Sequence, residues 1–194
     1  MVDFFIQGGG FMWPILIALL FGLAIIGERA YSLINSSSNT DQFFDDVKTI
    51  YDDSGKEQAI EFCENTQGPV ASIFYAGLSK MEKTKEEIEK AVQNAGGLEM
   101  AFLEKNMIWI NSVITIAPML GFTGTVVGMI KAFEDIKMAN DISPAVVAGG
   151  ISQALLTTAF GLIVAMIMQV AQNFFVSMID KLILDMEEQS IKIV

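Results

Sequence analysis

The sequence predicts an all-α integral membrane protein with three long transmembrane helices, a helical cytoplasmic domain and its N-terminus outside. Composition is the first reason. Hydrophobic residues make up 52% of the 194 positions and charged residues 18%, where soluble domains carry roughly 25% charge. With Gly counted as apolar and Tyr set aside, the apolar share is about 59%, above the roughly 45–50% of soluble domains. The second reason is placement. Phe4 to Gly27, Asn106 to Ile130 and Ile142 to Ile179 contain no Asp, Glu, Lys or Arg over 24, 25 and 38 residues, and roughly 20 apolar residues suffice to cross a hydrocarbon core as a helix. Third, no segment shows the strict alternation of a half-buried strand.

Charge and residue inventory exclude several functions. Twelve Lys and Arg against 23 Asp and Glu leave a net charge of -11, with no basic stripe to meet phosphates, so no nucleic-acid partner is expected. The chain has no His and one Cys, Cys63. Intramolecular disulfides, His-based metal sites and His-based acid/base catalysis are thereby removed. Neither an enzyme activity nor a metal or cofactor is expected.

The first span, with its N-terminal flank, occupies 1–34. It lacks a basic leading segment and a small-x-small cleavage site before Glu28-Arg29, which predicts a retained helix rather than a signal peptide. Trp13-Pro14 marks its start, since Pro suits a first helical turn and Trp the headgroup level. Ser36 to Thr40 reads as a turn. Residues 35–105 form the cytoplasmic domain, which holds seven of the 12 Lys and Arg and so faces inward by the positive-inside rule. Its 14 acids read as a solvated surface.

Helices are expected there at about 41–52, 55–66 and 69–81, with S/T-x-x-E capping boxes at Ser54/Glu57 and Thr84/Glu87 and a stop-and-start at Gly68-Pro69. A long helix entering at Lys85 meets no Pro before Pro118 and is expected to run into the second span, 106–131. A periplasmic turn, 132–143, follows, and Ser143-Pro144 caps the third span. The 38-residue charge-free stretch is too long for one crossing, at roughly 57 Å. Hence 144–194 is expected to cross the membrane and continue as a cytoplasmic helix against the 35–105 helices.

In the third span, small or polar residues recur at Gly150, Ala154, Thr158, Gly161, Ala165 and Gln169, and in the second at Ala117, Gly121, Gly124 or Thr125, Gly128 and Ala132. Both follow helical periodicity and define one stripe each. Such stripes commonly let helices approach closely. A membrane Thr commonly bonds back to a carbonyl of its own helix, but Thr125 and Thr158 on neighbouring stripes, with Gln153 nearby, also suit a polar seam. Neither span contains a carboxylate. Proton passage through a membrane needs an ionisable group, so the titrating carboxylate would arrive on another polypeptide's helix, seated on the small-residue faces.

The run Ala117-Pro118-Met119-Leu120-Gly121-Phe122-Thr123-Gly124-Thr125-Val126-Val127-Gly128-Met129-Ile130-Lys131-Ala132-Phe133 is similar to the second-span signature of the ExbB/TolQ/MotA family. The run Gly149-Gly150-Ile151-Ser152-Gln153-Ala154-Leu155-Leu156-Thr157-Thr158-Ala159-Phe160-Gly161-Leu162 resembles its third-span signature. The pieces Ala59 to Cys63 and Gly68 to Ala71 resemble the ExbB branch, which has three spans where MotA has four. The resemblance implies a bacterial inner-membrane motor driven by the proton-motive force. In it a homopentamer of this subunit encloses transmembrane helices of an ExbD- or TolR-type partner, and an Asp on the partner carries the proton. The motion energises a TonB- or TolA-type protein. Matched by position, Thr125 and Thr158 fall on the family's pore threonines, and Pro118 and Gly121 on its second-span bend.

One position departs from the pattern. Where the family places a Glu before Ala-Leu, this chain has Gln153, which cannot titrate and is assigned to hydrogen bonding. The expected ion pathway thus comprises Thr125, Thr158 and Gln153. The expected partner-helix contact comprises Ala117, Pro118, Gly121, Gly128, Gly150, Ala154, Gly161 and Ala165. Two other readings stay open: a TolQ-like subunit of an envelope-integrity or gliding motor, and a non-conducting membrane scaffold.

Overall fold

A computed structural model describes residues 2–36, 40–139 and 144–193. Every element among them is a helix: α1 (Val2–Gln7), α2 (Met12–Ser36), α3 (Thr40–Ser54), α4 (Lys56–Asn65), α5 (Pro69–Ser79), α6 (Lys85–Leu103), α7 (Met107–Ala139) and α8 (Pro144–Ile193). Three of the helices are long and apolar enough to cross a membrane. The chain divides into two compact units, Met1–Gly27 with Asn106–Asn173, and Glu28–Lys105 with Phe174–Val194.

The first unit contains the apolar parts of α2, α7 and α8. Gly9, at φ +74, turns the chain between α1 and α2, and the edge of Phe5 meets the Trp13 ring at 5.3 Å. α1 precedes the expected start of the first span and is too short to give a periodic signal in sequence. α2 approaches the other helices through Gly22, where an added Cβ would lie 2.5 Å from the Met168 sulfur and 3.5 Å from a Val113 methyl. α7 stays helical through Pro118, as membrane helices tolerate when neighbours satisfy the freed carbonyl.

In the second unit α5 is the centre. Pro69, Val70, Ala71, Ile73, Phe74, Gly77 and Leu78 are all buried, so the helix is covered on most sides. The start at Gly68-Pro69 is as expected, with Gly68 as N-cap at φ 138 and Pro at the first turn. Phe43 of α3 stacks on Phe62 of α4 at 5.7 Å and meets Phe74 of α5 edge-on at 5.6 Å. The end of α8 adds Phe175, Ile179, Leu182 and Met186 to the same core. Their spacing of four, three and four puts them on one helix face, and Met186 lies 3.9 Å from where a Cβ on Gly96 of α6 would sit.

Four expectations are corrected. Thr84 and Glu87 form both halves of a capping box, but Ser54 does not cap α4. It is the last residue of α3, and Gly55, at φ +91, occupies the N-cap without a side-chain bond. Only a glycine accepts that backbone cheaply, so the turn is set by Gly55 rather than by the serine. Second, α6 does not run into the second span. It ends at Leu103, and Asn106 adopts φ 65 before α7 begins. Asn enters the left-handed region more readily than other non-glycine residues, so the break needs neither Gly nor Pro. Third, the expected turn at 132–143 is helical as far as Ala139. Lys131, Glu134, Asp135 and Lys137 end the apolar span without ending the helix, because charge does not break a helix. Fourth, of the turn expected from Ser36 to Thr40, Ser36 belongs to α2 and Thr40 to α3, and 37–39 lie outside the described residues. Ser143, and with it the expected cap of α8, also lies outside them.

Candidate functional site

The small-residue stripes of α7 and α8 meet each other. A Cβ added at Gly161 would lie 2.5 Å from the Ala117 carbonyl oxygen, one at Gly121 2.9 Å from the Thr157 carbonyl oxygen, one at Gly128 3.2 Å from the Ala154 Cβ, and one at Gly150 2.4 Å from the Ala132 Cβ. As the index rises along α7 its partner's falls along α8, so the two helices are antiparallel. Backbones approach this closely only where side chains are absent. Ala117, Gly121, Gly128, Ala154 and Gly161 are buried in this contact and Gly150 is half-buried.

Six of the eight residues expected at a partner helix, Ala117, Gly121, Gly128, Gly150, Ala154 and Gly161, thus pack α7 against α8 within this chain, as facing small-residue stripes do. Ala165 is buried and Pro118 half-buried. What the spans leave uncovered is mostly apolar, including Met119, Phe122, Val126 and Phe133 on α7 and Leu155, Leu162, Met166 and Val170 on α8, interspersed with exposed Thr115, Thr123, Ser152 and Gln169. Between 17% and 33% of each span is buried inside the molecule, as expected of helices whose remaining surface meets lipid or other chains.

A polar cluster sits in the seam. Thr125 and Thr158, 33 residues apart, are hydrogen-bonded hydroxyl to hydroxyl. The Thr158 hydroxyl reaches the Gly121 carbonyl across the helices at 3.0 Å. Thr125 lies 3.2 Å from the carbonyl of Gly121 in its own helix and 3.2 Å from that of Ala154 in the other. The acceptor of the common back-bond, the carbonyl four residues earlier, is therefore within reach of Thr125, together with cross-helix acceptors that a lone membrane Thr would lack. Both threonines are half-buried.

A third hydroxyl, Thr157, belongs to the cluster and was not singled out in the sequence. It is 1% exposed and donates to the Ala154 carbonyl at 2.8 Å, with Gly121 oxygen at 3.4 Å. Gly124 makes room for it, since a Cβ there would lie 2.6 Å from the Thr157 hydroxyl. The signal in sequence was the Thr157-Thr158 pair opposite Gly121 and Gly124, legible only once α7 and α8 are paired. Gln153 sits apart. Its side-chain amide lies against Gly9, where an added Cβ would be 2.1 Å from Nε2, and among the described residues no hydrogen bond joins it to Thr125 or Thr158.

Outside the seam, Arg29 is 1% exposed. It pairs with Glu28 and reaches the carbonyls of Phe102 and Leu103 at 3.4 and 3.5 Å, the C-terminal end of α6, where cations are favoured. Burial raises the Cys63 thiol to about 11. A cavity of about 530 Å³ between the C-terminal end of α2 and the start of α5 is lined by Glu28, Tyr31, Asn35, Gln67 and Glu99 among others. It contains none of the expected site residues. Among the described residues no group of three or more Cys, Asp or Glu could hold a metal ion.

Three apolar helices with a hydroxyl-lined, carboxylate-free seam define a multi-pass membrane protein. The family model described as the MotA/TolQ/ExbB proton channel family matches residues 65–188, and the chain belongs to that family, one of transport components rather than enzymes. It is 29% identical over 173 residues to a putative biopolymer transport protein, ExbB-like 3, of Synechocystis sp., covering 88% of this chain and 82% of that one. It is 28% identical to a putative ExbB homolog of Methanothermobacter thermautotrophicus, covering 92% of this chain and 64% of the relative. With the Tol-Pal system protein TolQ of Pseudomonas aeruginosa it shares 28% over 117 residues, 55% of this chain and 51% of the relative.

Proposed function

We propose that the chain is the ExbB-like subunit of a bacterial inner-membrane motor driven by the proton-motive force. It assembles as a homopentamer around the membrane helices of an ExbD-type partner and energises a TonB-type protein for transport across the outer membrane. The N-terminus and 132–143 face the periplasm, and 35–105 with the end of α8 lie in the cytoplasm. The observation that carries this reading is the Thr125–Thr158 hydroxyl pair bridging α7 and α8 in two spans without a carboxylate. Hydroxyls both donate and accept, so they can hand a hydrogen bond to a proton-carrying group without holding the proton themselves. The titrating carboxylate then belongs to the partner, which meets the flanks of the α7–α8 seam rather than the engaged Gly and Ala residues.

The TolQ-like reading has its own support in the similarity to the Pseudomonas TolQ. A non-conducting scaffold would explain the packed stripes and would use the hydroxyl pair only to tie α7 to α8, so the flux of the assembled complex separates it from the motor readings. Co-expression with a single-span, Asp-bearing partner separates the readings. A complex of five copies of this chain with the partner is expected by native mass measurement. A chain that purifies as a monomer and never retains the partner contradicts the motor readings.

A further inference from the structure

Each of the three seam hydroxyls has one proton to give, and each carbonyl has two lone pairs. As helical carbonyls, Gly121 and Ala154 each accept the N–H four residues on, those of Thr125 and Thr158. One lone pair remains on each. Thr157 takes the one on Ala154 at 2.8 Å, the shortest of its options. Thr158 takes the one on Gly121 at 3.0 Å, closer than Thr125 at 3.2 Å. Both carbonyls are then full, and the only acceptor left within reach of the Thr125 hydroxyl is the oxygen of Thr158.

We propose that Thr157 is a positioning residue: by saturating the Ala154 carbonyl it fixes the donor direction of the pair, Thr125 to Thr158 to the Gly121 carbonyl. The lone pairs of the Thr125 oxygen are then left open, and Thr125 is the point at which the seam accepts a hydrogen bond from a proton-carrying group. Without the Thr157 hydroxyl the Ala154 carbonyl, 3.2 Å from Thr125, competes for its proton. The direction of the pair is then no longer unique. The inference rests on Thr125 and Thr158 forming the ion pathway.

The test is proton flux into vesicles containing the full chain with its single-span partner, read with a pH-sensitive dye, alongside assembly yield. Thr157→Val keeps the volume and removes the hydroxyl, and is expected to lower flux about fivefold, the value of one net hydrogen bond. Thr157→Ser loses a methyl, keeps the hydroxyl and is expected to restore most of the flux. A packing role reverses that order, with Val harmless and Ser impaired, and overturns the proposal. Should Thr157→Val fail to assemble, Thr157→Ala is expected to show the same loss, and wild-type flux in it also overturns the proposal. Thr125→Val and Thr158→Val in the same assay separate the two failures. Wild-type flux in both removes the pathway reading itself, whereas loss of flux in both beside normal flux in Thr157→Val removes only the role of Thr157.

Discussion

Replacing Gly161 by alanine places a methyl group 2.5 Å from the Ala117 carbonyl oxygen, 3.2 Å from its carbonyl carbon and 3.3 Å from the Gly121 Cα. An unstrained carbon–oxygen contact needs roughly 3.3–3.6 Å, so the shortfall is near 1 Å. All three atoms are backbone, and no side-chain rotation relieves the clash. α7 and α8 must part, and a gap of about 0.5–1 Å forfeits a quarter to a half of each dispersion contact along the seam. Overpacking of this kind costs about 1–3 kcal/mol, which for a chain of this size is about 2–12 °C in thermal midpoint. Gly149→Ala is the control: nothing lies within 4 Å of a Cβ there, and the change to a better helix former stabilises by up to about 1 kcal/mol. Thermal unfolding of the purified protein in nanodiscs, followed by tryptophan fluorescence, reads both. An unchanged midpoint for Gly161→Ala, or an equal fall for Gly149→Ala, refutes the reasoning.

Three further outcomes concern the second unit. Thr84→Ala removes a complete capping box and is expected to cost about 0.5–2 kcal/mol, while Ser54→Ala, which removes no cap, stays within about 0.5 kcal/mol; urea unfolding ranks the two. Arg29→Met leaves two backbone carbonyls without their side-chain donor and is expected to destabilise by about 1–3 kcal/mol in the same measurement. Cys63, with its thiol raised to about 11 from 9.0 by burial, is expected to resist alkylation at pH 8 until the protein is unfolded. Because the folded pKa is the higher one, its contribution to stability is present below pH 9 and is lost as pH rises toward 11, which alkaline unfolding checks.

The membrane helices were legible because charge is absent over long runs, and the seam because small residues repeat at helical spacing. Thr125 and Thr158 fell on those stripes and the fold brings them together. Thr157 was missed although it lies three residues after Ala154 and four before Gly161, at helical spacing on the same face, because the stripe read in the sequence runs through its neighbour Thr158. The small residues were legible as contact surfaces, and within this chain the two stripes meet each other, a pairing that periodicity alone does not specify. Gln153 was grouped with the threonines by sequence proximity. Its neighbour, Gly9, is more than 140 residues away, a distance no local pattern reports. The Ser54 box matched the motif, yet Gly55 set the turn, and the break at Asn106 carries neither Gly nor Pro to announce it.

The central claim is that this chain supplies hydroxyls and the partner supplies the ionisable group. Proton flux through vesicles containing the complex, compared for wild type, Thr125→Val, Thr158→Val and an Asp→Asn change on the partner's span, tests it most directly. All three variants are expected to assemble as wild type and to lose flux. Wild-type flux in both threonine variants, or full flux with the partner's Asp removed, contradicts it.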